Sequence, residues 1–393
     1  MPFEQCWRWF GPHDPITLRE VKQTGATGVV TALHELPPGA IWPIDAIMAR
    51  KELIEAEGLR WAVAESLPVH EAIKRHTGDA QAFVDNYKIS MRNLGSCGIR
   101  TLCYNFMPVL DWSRTNLNTK FADGSITTAF QPHVLAAFDL FILRRPGASE
   151  TPPETRRKAE EFFRALDGPG RDDLTRTVLL GFPGSGEEYT IDQLRRAIDG
   201  YRDIPPASFR ENLFWFLREI VPVAEESGIL LALHPDDPPW PVLGLPRIVS
   251  DSEDVAQILS ACDSPSNGIT LCTGSFGASR KNDVVSMARR FARRINFVHL
   301  RNIETAEDGS FVESDHLEGD VDMVGVVTTL LLEQKRRANE GRPDSDIPMR
   351  PDHGHLFEAD QGDYYPGYSL FGRMRGLAEL RGLELGIKHS LGL

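Results

Sequence analysis

The chain of 393 residues lacks any apolar run that could cross a membrane. Its longest apolar stretches, such as residues 229–233, are far shorter than the roughly 20 residues that a spanning helix needs. It also lacks a surplus of basic residues, because 43 Lys and Arg stand against 56 Asp and Glu and leave a formal net charge of −13. That balance disfavours nucleic acid and anionic membrane surfaces. We therefore expect neither as a partner.

Cysteine is scarce, and its spacing shows no pairs that would indicate a disulfide framework. The five cysteines are Cys6, Cys97, Cys103, Cys262 and Cys272. Residues 1–14, MPFEQCWRWFGPHD, contain no basic segment followed by an apolar stretch and a small-residue cleavage site. These features predict a cytoplasmic protein with free thiols.

Eight times along the chain, a short apolar run is followed by a longer segment whose apolar residues have helical spacing. The predicted strands are residues 5–10, 27–33, 59–66, 99–106, 229–234, 269–273, 297–301 and 347–352. The predicted helices are residues 16–23, 43–56, 79–94, 210–226, 252–261, 283–294, 322–337 and 370–385. Such units in series, with strands too apolar to face water, predict an α/β fold, a (β/α)8 TIM barrel, as a single domain over residues 1–393.

The main competing fold is an open doubly wound sheet. That fold usually carries a glycine-rich turn after its first strand, and the first unit here has none. The eighth predicted strand is the weakest, because Pro348 and Pro351 cannot donate backbone hydrogen bonds. The repetition of the unit still favours the barrel.

A large insertion, residues 107–209, separates the fourth strand from its helix. It contains a charged segment, residues 153–166, predicted as a helix, and glycine-rich segments, residues 168–170 and 181–186, predicted as turns. The second of these, GFPGSG, lacks the GK[ST] ending of a phosphate-binding loop. Because the insertion follows a barrel strand, it should lie over the carboxyl end of the barrel as a lid or a dimer arm.

Four potential metal ligands fall at equivalent places on the last four predicted strands: His234, Cys272, His299 and Asp352. Imidazole, thiolate and carboxylate groups all bind divalent cations. A single cysteine or histidine in a strand is more often a buried core residue. Four such residues on adjacent strands favour a metal site, since catalytic groups of this fold converge at the carboxyl ends of the strands.

Other polar residues near strand ends are candidates for contacts with a substrate. Arg8 lies between Trp7 and Trp9, so strand alternation places it on the opposite face from both rings. Its guanidinium group suits a carboxylate, although an ion pair within the barrel is equally compatible with the pattern. Glu65, Asn105 and His34 are weaker candidates.

The segment after the eighth strand is rich in groups that transfer protons: His353, His355, Tyr364, Tyr365 and Tyr368. A metal, an arginine and these groups together indicate chemistry on a hydroxy acid or sugar acid. Such a substrate could bind the metal through a carboxylate oxygen and its 2-hydroxyl group.

Long strings of residues resemble the mannonate dehydratase family nearly from end to end. They are WRWFGP (7–12), GATGVVTALH (25–34), CGIRTLCYNFMPVLDW (97–112), LHPDDPP (233–239), GLPRIVS (244–250), LCTGSFG (271–277), HLEGDVDM (316–323), PMRPDHGH (348–355) and PGYS (366–369). The resemblance implies a xylose-isomerase-like barrel that dehydrates D-mannonate to 2-keto-3-deoxy-D-gluconate in hexuronate catabolism. It also implies that the bound cation is Mn2+ or Fe2+, whereas the softness of the ligands alone would favour Zn2+ or Fe2+.

By the same resemblance, the metal ligands are His234, Cys272, His299 and Asp352. Arg8, His353 and Tyr368 match residues placed at the substrate. We expect Tyr368 and His353 to be the catalytic acid and base. Asp352 is expected both to bind the metal and to orient its neighbour. Asn105 and His355 are further expected substrate contacts, and a homodimer is the expected assembly. A metal-dependent sugar isomerase or epimerase, or a binding protein without catalysis, are the alternatives.

Overall fold

The computed structural model describes residues 2–180 and 189–392. Its strands, numbered in chain order, are β1 (Glu4–Arg8), β2 (Gly28–Thr31), β3 (Arg60–Glu65), β4 (Thr101–Tyr104), β5 (Asn116–Lys120), β6 (Ile126–Phe130), β7 (Leu230–Leu233), β8 (Asn267–Cys272), β9 (Ile295–His299), β10 (Asn302–Thr305), β11 (Phe311–Ser314) and β12 (Pro348–Arg350). Eight of them, β1 to β4, β7 to β9 and β12, pair in parallel in that order, and β12 pairs with β1 to close a barrel. The predicted TIM barrel is confirmed.

The helices, also in chain order, are α1 (Leu18–Gln23), α2 (Ile44–Ala56), α3 (Glu71–Arg75), α4 (Ala80–Ser96), α5 (Pro132–Ala137), α6 (Pro153–Ala165), α7 (Gly168–Leu179), α8 (Ile191–Asp199), α9 (Pro206–Ser227), α10 (Ser252–Ala261), α11 (Thr273–Gly277), α12 (Val284–Phe291), α13 (Met323–Asn339) and α14 (Leu370–Leu391). The eight predicted barrel helices correspond to α1, α2, α4, α9, α10, α12, α13 and α14. No helix of the described residues combines the length and apolarity needed to cross a membrane.

Helix α9, which belongs to the fourth barrel unit, shows how the sequence specifies these elements. The predicted apolar face, including Leu213, Phe216 and Ile220, is buried against the barrel. Pro222 lies within the helix, and Gly228 ends it in the left-handed conformation that glycine adopts without strain. The helix of the fourth barrel unit therefore follows the insertion, as predicted.

The insertion and the segment after β9 build a second, antiparallel sheet in the order β10-β11-β6-β5. Strands β5 and β6 belong to the insertion, whereas β10 and β11 form a hairpin between β9 and α13 that the sequence did not predict. The two hairpins pair through β6 and β11. Two separate βα loops are thus joined into one structure over the barrel.

Within the insertion, the predicted helix over residues 153–166 is confirmed as α6. The predicted turn at residues 168–170 is wrong, because helix α7 begins at Gly168. There the Asp167 side chain accepts a hydrogen bond from the Gly170 backbone and caps the helix, and proline is tolerated in the first turn. The predicted turn at residues 181–186 lies outside the described residues.

A buried apolar cluster separate from the main core is formed by strand residues of the barrel. It includes Cys6, Val30, Val63, Cys103 and Phe297. All five cysteines are free thiols, as predicted. The potential metal ligands, in contrast, lie at the carboxyl ends of the strands.

Candidate active site at the carboxyl end of the barrel

Three potential metal ligands converge where β7, β8 and β9 end. His234 directly follows β7, Cys272 is the last residue of β8, and His299 is the last residue of β9. Their ligand atoms all lie within 4.8 Å of one another, and His234 Nε2 is 3.2 Å from His299 Nδ1. Two nitrogens bound about 2.1 Å from one tetrahedral ion would be about 3.4 Å apart, so the separation fits a shared cation.

Neighbouring groups orient these three side chains. His234 Nδ1 lies 2.7 Å from the Pro235 carbonyl oxygen, to which it donates, so its Nε2 keeps a lone pair directed at the cluster. The Ser275 hydroxyl donates to Cys272 Sγ at 3.1 Å. His299 Nε2 accepts a hydrogen bond from Arg350 Nε at 3.1 Å and lies 3.5 Å from a carboxylate oxygen of Glu65. Two imidazoles and a thiolate placed in this way could hold a divalent cation.

Electrostatics favour the thiolate form of Cys272. Burial alone would raise its pKa, but the charge of Arg301 and hydrogen bonds with His234 and His299 bring the pKa well below its ordinary value. For His234, burial lowers the pKa, yet the hydrogen bond and charge of Cys272 raise it overall. The thiolate is the form of cysteine that binds metal.

Asp352 adjoins this cluster in a strained backbone conformation. The predicted strand over residues 347–352 is too long: β12 ends at Arg350, and Asp352 has φ of +66°, which few residues other than glycine adopt. One of its carboxylate oxygens lies 3.8 Å from Cys272 Sγ and 3.9 Å from His299 Nδ1. The same oxygen is 2.9 Å from Arg301 Nε, and the other pairs with Arg350. Asp352 therefore borders the three converging ligands while two arginines hold its carboxylate.

A continuous network of buried charges surrounds the cluster, and each side chain in it is at most 8% exposed. In order of contact, its members are Arg8, Glu65, Arg350, Asp352 and Arg301, followed by Asp237 and Glu313, both of which also pair with Arg114. Four arginines balance four carboxylates, so buried charge is compensated within the site. Sequence reasoning missed Arg301, Arg350, Asp237, Glu313 and Arg114.

The expected acid and base pair lies beside Asp352. The His353 and Tyr368 rings are 5.1 Å apart, and the backbone amide of Gly354 donates to Gly367, which joins the two ends of the loop. His353 Nδ1 lies 3.2 Å from Glu313 Oε1. Burial raises the pKa of Tyr368 to about 12, so its phenol keeps its proton at neutral pH.

The remaining predicted substrate contacts have different environments. Arg8 and Asn105 line a cavity of about 440 Å³ together with His34 and Lys74. Asn105 also donates a hydrogen bond to Asp111 at 3.0 Å.

His355 is buried at the junction between the barrel and the second sheet. Its Nδ1 is 2.9 Å from the Ser125 hydroxyl, and its Nε2 is 3.0 Å from the Glu313 carbonyl oxygen. Both ring nitrogens are thus engaged within the protein, in contacts that tie the eighth βα loop to the second sheet.

The fold is a (β/α)8 barrel whose carboxyl end gathers potential metal ligands and a network of buried charges. This fold is shared with a xylose isomerase-like TIM barrel protein from Mycobacterium smegmatis, with a TM-score of 0.52 at 12% identity over 98% of this chain and 97% of that one. The family model for D-mannonate dehydratase (UxuA) matches residues 3–391. The chain belongs to this family, which confirms the resemblance.

Relatives of that name extend over the full length of the chain. A mannonate dehydratase from Marinomonas sp. (strain MWYL1) is 54% identical over 391 residues, which are 99% of this chain and 100% of the relative. The crystal structure of mannonate dehydratase from Streptococcus suis serotype 2 has a TM-score of 0.77 at 34% identity, covering 100% of this chain and 95% of that one.

Proposed function

We propose that the protein removes water from D-mannonate to form 2-keto-3-deoxy-D-gluconate, as a step of hexuronate breakdown in the cytoplasm. The observation that carries this proposal is the placement of the His353 and Tyr368 pair beside the His234, Cys272 and His299 cluster. Removal of a proton next to a carboxylate needs charge stabilisation and a proton acceptor at the same carbon. The names of the relatives supply the substrate.

The residues that would hold a metal are His234, Cys272 and His299, with Asp352 at their border. Their thiolate, imidazole and carboxylate groups fit Mn2+ or Fe2+, the ions that the family resemblance implies. When bound, such a cation polarises the carboxylate and 2-hydroxyl oxygens of a chelating substrate and favours the negative charge that develops during C2 proton removal.

The substrate would extend from the cluster into the cavity described above. Arg8 lines this cavity while it is paired with Glu65, and its guanidinium group suits the C1 carboxylate. Asn105 presents an amide suited to hydroxyl groups. The insertion contributes Val109, Asp111 and Tyr189 to the cavity wall. These positions support a lid role for residues 107–209 within a single-domain barrel. A homodimer remains our proposal for the assembly.

The reaction needs two proton transfers, and His353 and Tyr368 each carry out one of them. His353, whose Nδ1 faces a carboxylate, has Nε2 available to take the proton from C2. Tyr368, which is protonated at neutral pH, donates to the C3 hydroxyl group as it leaves as water. The resulting enol then rearranges to the 2-keto product, so the reaction consumes one D-mannonate and releases one water.

We expect deuterium exchange at C2 to separate these roles. Tyr368→Phe should lower kcat by about 10²–10⁴-fold yet still exchange C2 deuterium with solvent, because the base remains. His353→Asn should lose exchange and retain only residual dehydration, with kcat about 10²–10⁴-fold lower, because the base is gone. NMR of recovered [2-²H]-D-mannonate measures the exchange. The opposite pattern would reverse the assignment, and full activity of both variants would refute it.

Turnover by the purified protein tests the proposed function. We expect it to form a 2-keto-3-deoxy acid from D-mannonate and to leave neutral aldoses and ketoses unchanged. A metal-dependent isomerase or epimerase, the alternative on the same barrel, would show the reverse preference. Buried Arg8 at the cavity favours an anionic substrate over a neutral sugar.

A further inference from the structure

A carboxylate from outside the barrel contacts the proposed base. Glu313 lies on β11, in the hairpin between β9 and α13, yet its Oε1 is 3.2 Å from His353 Nδ1. The side chain of Glu313 is 3% exposed, so water cannot readily replace this contact. The second sheet therefore places a buried carboxylate beside Nδ1 of His353. At the other ring nitrogen, Asp352 Oδ1 lies 3.9 Å from Nε2.

The position of Glu313 is fixed by both its side chain and its backbone. Oε1 accepts hydrogen bonds from Arg114 and Arg301. The backbone carbonyl oxygen accepts from His355 Nε2 at 3.0 Å and from the Thr127 hydroxyl at 3.3 Å. Burial opposes ionisation, but Arg301, His353 and Arg114 bring the pKa of Glu313 down to about 2, so it is a carboxylate at neutral pH.

We propose that Glu313 is a positioning residue for His353. The Glu313 carboxylate, 3.2 Å from Nδ1, favours the tautomer in which Nδ1 carries the proton and Nε2 the lone pair, and it restrains the orientation of the ring. The inference rests on the proposed function, in which His353 takes the C2 proton. Glu313 acts through His353 and does not touch the substrate.

Two substitutions test this role in the metal-loaded enzyme. Glu313→Gln removes the charge. Glu313→Asp keeps the charge in the network but withdraws the carboxylate from His353, Arg114 and Arg301 by one methylene group. We expect each to lower kcat on D-mannonate by about 10–100-fold, to change KM by less than about threefold and to leave metal content unchanged. If Glu313→Gln does not fold, the Asp variant decides.

A double-variant comparison separates positioning from a purely structural role. In the His353→Asn background, Glu313→Asp should cause little further loss of kcat, because the residue that it acts through is gone. The matched control is Asp237→Asn, since Asp237 accepts from the same two arginines. Asp237→Asn should lower kcat by the same factor in the His353→Asn background as it does in the wild-type protein.

The proposal is overturned if folded Glu313→Asp has wild-type kcat, or if its effect multiplies with His353→Asn as the control does. Either result would leave D-mannonate turnover by the wild-type protein intact. Failure of the wild-type protein to dehydrate D-mannonate would instead overturn the proposed function. The two failures are therefore distinguishable.

Discussion

Replacement of Cys272 by serine is expected to remove the metal and to lower kcat on D-mannonate by at least about 10³-fold. A serine hydroxyl group stays protonated at neutral pH, whereas the neighbourhood of Cys272 favours a thiolate, the stronger ligand. Without a bound cation, the charge formed at the substrate carboxylate would lose several kcal/mol of stabilisation, and about 1.4 kcal/mol corresponds to each factor of ten in rate.

Elemental analysis of the purified variant, alongside the activity assay, measures both effects. Cys262→Ser is the matched control, because Cys262 is half-buried at the end of α10 and does not belong to the cluster. It should keep wild-type metal content and kcat. Chelation of the wild-type protein should abolish activity, and Mn2+ or Fe2+ should restore it. A Cys272→Ser variant with full metal occupancy would contradict the ligand set.

Replacement of Arg301 by methionine is expected to lower the free energy of unfolding by about 3–5 kcal/mol. Arg301 is 2% exposed and pairs with Asp237, Glu313 and Asp352, so its loss would leave three buried carboxylates with less compensation. Methionine retains much of the apolar volume, so a cavity contributes little. Urea unfolding followed by circular dichroism measures the change.

The control for this prediction is Arg375→Met. Arg375 also pairs with carboxylates, Asp315 and Glu379, but it is 39% exposed. Exposed ion pairs contribute about 0–1 kcal/mol, so this variant should unfold almost as the wild-type protein does. If Arg301→Met unfolds at the same urea concentration as Arg375→Met, Arg301 does not stabilise the fold through the buried network.

Much of the barrel is predictable because its signals are local. The apolar residues of α9, for example, keep helical spacing over three turns, and several barrel strands, such as β7 with LLAL, are short apolar runs. The strand-end residues His234, Cys272 and His299 are predictable for a related reason, since the fold gathers strand ends at one face. Once the strands are assigned, these three side chains must lie near each other.

The second sheet and the charge network are not predictable in this way. The β11 segment FVES pairs with β6, about 180 residues earlier, and nothing in either segment specifies the other. Which arginine compensates which carboxylate depends on that pairing. Glu313 and Arg114 therefore looked like ordinary polar residues of loops. The turn predicted at residues 168–170 failed for a local reason, because the Asp167 cap outweighs the helix-breaking tendency of Gly and Pro.

The pairing of β6 with β11 also sets limits on how this enzyme can be re-engineered. Consider a chimaera that received the 107–209 insertion of a distant relative but kept its own β10–β11 hairpin. Its β6 and β11 strands would no longer be matched for pairing. The result would be two open sheet edges, which tend to aggregate. It would also displace Glu313 from His353 without any change in the barrel. The two loops must be exchanged together, and in that sense they are inherited as one module.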